Sequence, residues 1–145
     1  VGTQAADFTY TLASGAQGTL YGIRAPMTII FINNPGCPAC KEVRENISAS
    51  RLLSALIADG TIKVLAIYPD EDLTEWRNYA PNMPSDWING YDKSLAMREK
   101  ELYDLKAIPT VYLLDTNKKV ILKDCMSVPV MEQTVYYLLN QNQTR

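Results

Sequence analysis

Two cysteines three residues apart, Cys37 and Cys40, are the side chains best suited to chemistry in this chain. They enclose Pro38 and Ala39. The motif falls where an apolar, β-branched run, Met27–Ile32, breaks at Asn33-Asn34-Pro35-Gly36 and a helical pattern begins. Residues i and i+3 are neighbours on a first helical turn. Their Cβ atoms can therefore approach to disulfide distance. The ring so closed is tiny and constrains the unfolded chain little. Such a bond is poorly suited to stapling a fold and well suited to being made and broken. The two thiols should differ. Cys37 sits at the helix start, where unpaired N–H groups and the helix dipole stabilise a thiolate. Cys40 continues an apolar stripe toward Val43 and Ile47 and should be buried. Cys37 is thus expected to attack and Cys40 to resolve the mixed disulfide. The competing readings are a structural disulfide, or half a metal site completed by Cys125 or a second chain.

The residues that are missing narrow the chemistry. The chain has no histidine and three cysteines. That excludes Ser-His-Asp and Cys-His nucleophilic sites, HExxH metalloproteases, Cys₂His₂ fingers and a one-chain Cys₄ zinc site. No metal and no bound cofactor is expected. At 145 residues the chain fits a single domain, and 47% hydrophobic residues suffice for a core. Fourteen basic against sixteen acidic residues leave a net charge of −2, so nothing points to nucleic acid. No stretch reaches the ~18 apolar residues of a membrane helix. The chain opens on Val1 rather than Met, which is read as processing, so the absence of a signal segment does not argue against export. The sequons Asn46-Ile47-Ser48 and Asn142-Gln143-Thr144 are read as chance matches.

The elements that must position the cysteines follow from periodicity. Residues Asp7–Ile23 read as a hairpin around Ser14–Gly18, with Thr19–Ile23 as its returning strand. Met27–Ile32 and Ile62–Tyr68 read as strands buried on both faces. Between them, Cys40, Val43, Ile47, Leu53, Leu56 and Ile57 predict one continuous helix closed by Asp59-Gly60. The acidic run Asp70-Glu71-Asp72 suits the start of a helix reaching about Tyr79. Ala80–Asn89, with two prolines, is expected as loop, and Asp92–Leu105 as helix. Thr110–Leu114 and Val120–Lys123 predict strands around Thr116-Asn117-Lys118, and Pro129 opens a last helix with Met131, Val135 and Leu138 on one face. A βαβ half leading into a ββα half predicts an α/β fold: a mixed central sheet with helices on both faces.

Two segments in this order carry a resemblance. Phe31-Ile32-Asn33-Asn34-Pro35-Gly36-Cys37-Pro38-Ala39-Cys40-Lys41 resembles the active-site segment of the thioredoxin superfamily. Ala107-Ile108-Pro109-Thr110-Val111-Tyr112-Leu113-Leu114-Asp115 is similar to its cis-proline strand. The N-terminal hairpin and the insertion around Trp76–Met97, within a 70–105 helical insertion region, resemble the bacterial TlpA/ResA-like branch. The resemblance spans about Phe8 to Leu139. It implies a thioredoxin-like fold with Pro109 in cis beside Cys37, and a thiol-disulfide oxidoreductase acting on protein thiols and disulfides. It also implies a redox partner that resets Cys37–Cys40. Ile108 would offer backbone hydrogen bonds to an extended peptide. Pro38, Ala39, Ile108, Pro109 and Cys125 would line the substrate groove. Cys125 enters because the last strand, antiparallel to the cis-proline strand, would return toward the motif. The branch implies an extracytoplasmic location, the bacterial periplasm, with room for membrane tethering through a removed N-terminal segment.

The sequence also departs from the family. Thioredoxins carry a buried acid at the position of Phe31, and ResA-like proteins carry a glutamate at the position of Val43. Glu42 and Glu45 flank Val43 but should be turned about 100° or more away on the helix. Glu42 is read either as a proton-relay acid or as a solvated helix charge. Without histidine or a cation inside the motif, the site is expected to be less oxidising than relatives with histidine there. Two other functions stay open: a non-enzymatic binding module with a structural Cys37–Cys40 disulfide, and a thiol peroxidase. The latter usually carries threonine three residues before its cysteine, where this chain has Asn34.

Overall fold

The computed structural model describes residues 2–99, 103 and 108–143. The elements run β1 (Thr9–Leu12), β2 (Gln17–Thr19), β3 (Met27–Ile32), α1 (Pro38–Ala49), α2 (Arg51–Ala58), β4 (Ile62–Tyr68) and α3 (Leu73–Tyr79). A 3₁₀ turn follows over Ala80–Asn82, then β5 (Ile88–Tyr91), α4 (Ala96–Glu99), β6 (Thr110–Leu114), β7 (Val120–Leu122) and α5 (Val128–Gln143). The strands form one mixed sheet in the order β2-β1-β5-β4-β3-β6-β7. Strand β3 lies parallel to β4 and antiparallel to β6, and β5 is parallel to β4.

The apolar run of β3, interrupted only by the buried Thr28, is explained by burial on both faces. Ile29 and Phe31 face a core shared with Cys40, Val43 and Ile47 of α1, Leu53 and Ile57 of α2, and Met131 and Val135 of α5. Ile30 and Ile32 face a second core with Phe8, Leu20, Ile23, Met97 and Tyr103. A strand covered on both faces cannot alternate between apolar and charged residues.

Four expectations change. The single helix over 40–57 is two helices, broken at Ser50 with ψ at 119°. Serine competes well for a cap: its Oγ accepts from Leu53 N at 3.2 Å and starts α2, while its hydroxyl donates to Glu132 of α5 at 2.7 Å. The returning hairpin strand is confined to Gln17–Thr19, with Leu20–Gly22 turning away through Gly22 N to Thr19 O and Ile23 N to Leu20 O bonds.

The stretch 80–89 is not simply loop, nor is the region 70–105 only helical, because Ile88–Tyr91 is a strand. It pairs with β4 on one side and β1 on the other, which joins the hairpin to the sheet. Ile-Asn-Gly-Tyr shows no strand pattern because Gly90 answers to its neighbours: a Cβ there would lie 3.0 Å from the Thr11 carbonyl oxygen. Finally, Leu95 has φ of 58° and α4 begins only at Ala96, with Asp92 accepting from Met97 N at 2.8 Å and from the Ser94 hydroxyl at 3.1 Å. The rest of the helix expected to Leu105, Leu102 included, lies outside the described residues apart from Tyr103. Among the described residues no helix is long and apolar enough to cross a membrane.

Candidate active site

Strand β3 delivers the chain to the site and α1 receives it. At the strand end Asn33 is buried, its amide donating to the Phe31 carbonyl at 3.3 Å, and its backbone N–H bonds the Ile67 carbonyl at 3.1 Å. Gly36 then takes φ of 71°, a left-handed value that suits glycine, and turns the chain into the helix.

Cys37 is the N-cap of α1. Its Sγ accepts from Cys40 N at 3.1 Å, and its carbonyl oxygen accepts from Lys41 N at 3.1 Å. Pro38 occupies the first turn, where its missing N–H is no loss. Cys37 and Cys40 form a disulfide with their Cα atoms 5.2 Å apart. The pair is unequally placed. Cys37 is half-buried and its neighbours Pro38 and Ala39 are exposed, whereas Cys40 is fully buried in the core beneath.

Seventy-one residues later in the chain, Ile108 comes back to this point. Its carbonyl oxygen lies 4.0 Å from Cys37 Sγ. Ile108 is half-buried and Pro109 buried, and the peptide bond between them is cis. Cys125 lies next to the start of the same strand: its backbone N–H donates to the Val111 carbonyl at 3.0 Å. Its half-buried thiol packs against the core cluster that Cys37 and Ile108 also flank, 3.7 Å from the Ser127 carbonyl. Met126 beside it is 37% exposed. The structure thus gathers Cys37, Cys40, Ile108 and Pro109 at one point, with Cys125 beside Val111, two residues beyond Pro109.

The base of the site is apolar. Phe31 is fully buried and meets Trp87 edge-to-face, with ring centroids 6.0 Å apart. Val43 is buried, and Glu42 is exposed on the outer face of α1, so neither places a carboxylate under Cys40. Two contributors were hidden in the sequence. Trp87 comes from a stretch expected as loop. Glu75, on the first turn of α3, reaches the rim from across the fold: its Oε1 lies 3.9 Å from where a Cβ on Gly36 would sit. Asp72 caps α3 by accepting from Glu75 N at 3.0 Å, which sets that turn in place. No local pattern links positions so far apart. Among the described residues no three His, Cys, Asp or Glu side chains cluster as a metal site would need.

The arrangement can exchange a disulfide. It offers one reachable sulfur at a helix start, one shielded sulfur behind it, and the Ile108 carbonyl beside the first.

No protein-family model and no curated protein matches the chain. Solved structures do. A thioredoxin-like protein from Bacteroides caccae is 50% identical with a TM-score of 0.91, over 94% of this chain and 49% of that one. The chain thus spans about half the length of that relative. The C-terminal domain of an uncharacterized protein from Bacteroides fragilis is 52% identical with a TM-score of 0.88, over 92% of this chain and 94% of that one. A domain of a possible thiol-disulfide isomerase from Cytophaga hutchinsonii has a TM-score of 0.81 at 24% identity, covering 100% of this chain and 97% of its own, and at that distance it speaks for the fold. With a mixed sheet and a Cys-x-x-Cys disulfide at a helix start, and with such neighbours, the chain belongs to the thioredoxin superfamily.

Proposed function

We propose that this protein is a thiol-disulfide oxidoreductase of the TlpA/ResA-like kind, acting outside the cytoplasm on protein thiols and disulfides. The observation that carries the reading is the unequal pair: a half-buried Cys37 whose sulfur accepts a helix N–H, in front of a fully buried Cys40. In the reduced protein the same N–H stabilises a Cys37 thiolate. That thiolate attacks one sulfur of a substrate disulfide. A Cys37–substrate disulfide forms, and the other substrate sulfur leaves as thiolate. Cys40, once deprotonated, attacks Cys37 Sγ, restores the Cys37–Cys40 bond and expels the second substrate sulfur. The substrate gains two electrons and the protein loses two. Run in reverse, a substrate dithiol is oxidised. In either direction a redox partner must reset the pair. Phe31 and Val43 stand where relatives carry an acid, so water reaching the rim is the acceptor this reading uses for the proton of Cys40.

The peptide would lie extended along the cis-proline loop, with the backbone of Ile108 as hydrogen-bonding edge and exposed Pro38 and Ala39 on the opposite side. Insulin reduction with dithiothreitol tests the activity: the protein should accelerate precipitation of the insulin B chain well above the reagent alone. No acceleration, together with a Cys37–Cys40 potential below about −300 mV, would make the disulfide structural. The reading also expects a potential no more oxidising than the protein disulfide isomerase range, about −180 mV.

Cys125 is assigned to the rim of the same groove. Iodoacetamide should label it in the native reduced protein faster than Cys40, as followed by mass spectrometry of the three cysteines. Protection of Cys125 equal to that of Cys40 would remove it from the groove.

A further inference from the structure

The far end of the sheet holds a pair of cations that disulfide exchange does not use. The turn between β6 and β7 places Lys118 at φ of 65°, and its side chain runs inward rather than into water. The residue is 5% exposed. Lysine is almost never so buried without a partner. Its ammonium carries three donors, and among the described residues one is used, to the Ile23 carbonyl at 2.6 Å. Lys118 lines a cavity of about 400 Å³ together with Arg24, Gln4, Tyr21 and Asn117. Neither Lys118 nor Arg24 is paired with a carboxylate among the described residues. Burial first, and Arg24 second, push the Lys118 amine below its ordinary pKa, while nearby Asp115 opposes them. Asp115 Oδ1 accepts from the N–H groups of Asn117 and Lys119 at 2.9 Å each, and its carboxylate makes no ion pair with Lys118.

Two cations that repel each other across one polar cavity, one of them buried with spare donors, are a poor arrangement unless an anion joins them. Guanidinium offers a planar fork and ammonium a point charge, a combination that suits a tetrahedral oxyanion. We propose that Arg24 and Lys118 form a binding site for a phosphate group, carried by a small ester or by a lipid headgroup. Cys37 follows the C-terminal end of β3, whereas this cavity adjoins the residues that precede it. The two sites stand about 20 Å apart by the length of that strand, so the phosphate is no substrate of the exchange.

Titration calorimetry of the intact protein with inorganic phosphate, against chloride at matched ionic strength, tests the proposal. Wild type should bind phosphate saturably at one site. R24Q, a change at an exposed position, should weaken binding about tenfold or more. K118Q should abolish it, with melting in chloride checking that the variant is folded, since Lys118 also holds Ile23. No saturable binding, or equal binding by wild type and R24Q, overturns the site. Sedimentation with phosphatidylcholine vesicles containing phosphatidylglycerol then separates the sources. Arg24-dependent sedimentation relieved by free phosphate identifies a lipid headgroup, and phosphate binding without sedimentation identifies a soluble ester.

Discussion

Cys37→Ser is expected to lower insulin reduction by roughly a thousandfold or more, to the rate of dithiothreitol alone. A serine hydroxyl is not ionised near neutral pH, and the Cys40 N–H that would stabilise a thiolate at this position has no anion to act on. Cys40→Ser should fail differently. Cys37 remains half-buried at the helix start and can still attack, but nothing behind it can expel the substrate. The variant should therefore accumulate a covalent protein–substrate disulfide, visible as a mass increase that reductant removes. The assignment of roles depends on this asymmetry. If Cys37→Ser trapped substrate and Cys40→Ser did not, attacker and resolver would be exchanged. If neither variant changed the rate, exchange through this pair would be refuted, whatever the fold.

Phe31→Ala should be the most damaging single core change near the site, at about 3–5 kcal/mol of stability. Phe31 is fully exposed to neighbours and not at all to water, sits on the central strand, and forms the edge-to-face contact with Trp87. It is paired with Ala66 and Val111 on the flanking strands, small residues with no reach to fill a void. For a chain of this size the loss corresponds to roughly 10 °C in melting temperature. Urea unfolding of the oxidised wild type and variant measures it. A loss below about 1 kcal/mol would mean that Trp87 and the base of α1 collapse into the space. Because Cys40 packs in the same core, the same collapse should show as faster alkylation of Cys40 in the reduced variant.

These expectations rest on features of different legibility. The Cys37–Cys40 motif, its place between strand and helix, and the unequal exposure of its two thiols were readable because each depends on local spacing. Periodicity of 3.6 turns Cys40 inward with Val43 and Ile47 whatever the rest of the chain does. The buried strands β3, β4 and β6 were readable because a strand covered on both faces is apolar at nearly every position, with Thr28, Lys63 and Thr110 the exceptions here. The break at Ser50 was harder to see, since the apolar spacing runs on through Leu53 and Ile57 while a single capped hydroxyl decides that the helix stops. Strand β5 could not be read at all. Its four residues owe their conformation to the two strands that flank them, and Gly90 is there to let Thr11 approach.

The sequence by itself determined the chemistry available to this protein. With no histidine and three cysteines, it admitted thiol exchange and excluded most other catalytic sites, and it said which thiol would face outward. Only the tertiary structure decided what surrounds that thiol. It brought the Ile108 carbonyl to 4.0 Å from Cys37 Sγ, set Phe31 and Trp87 beneath Cys40, and carried the Glu75 carboxylate to the rim beside Gly36. It also turned Lys118 inward to the Ile23 carbonyl, at the cavity that Arg24 lines too. Each of these contacts joins residues far apart in the chain, and local spacing carries information only about neighbours within a turn or two. Distant groups meet because the sheet order and the turns bring them together.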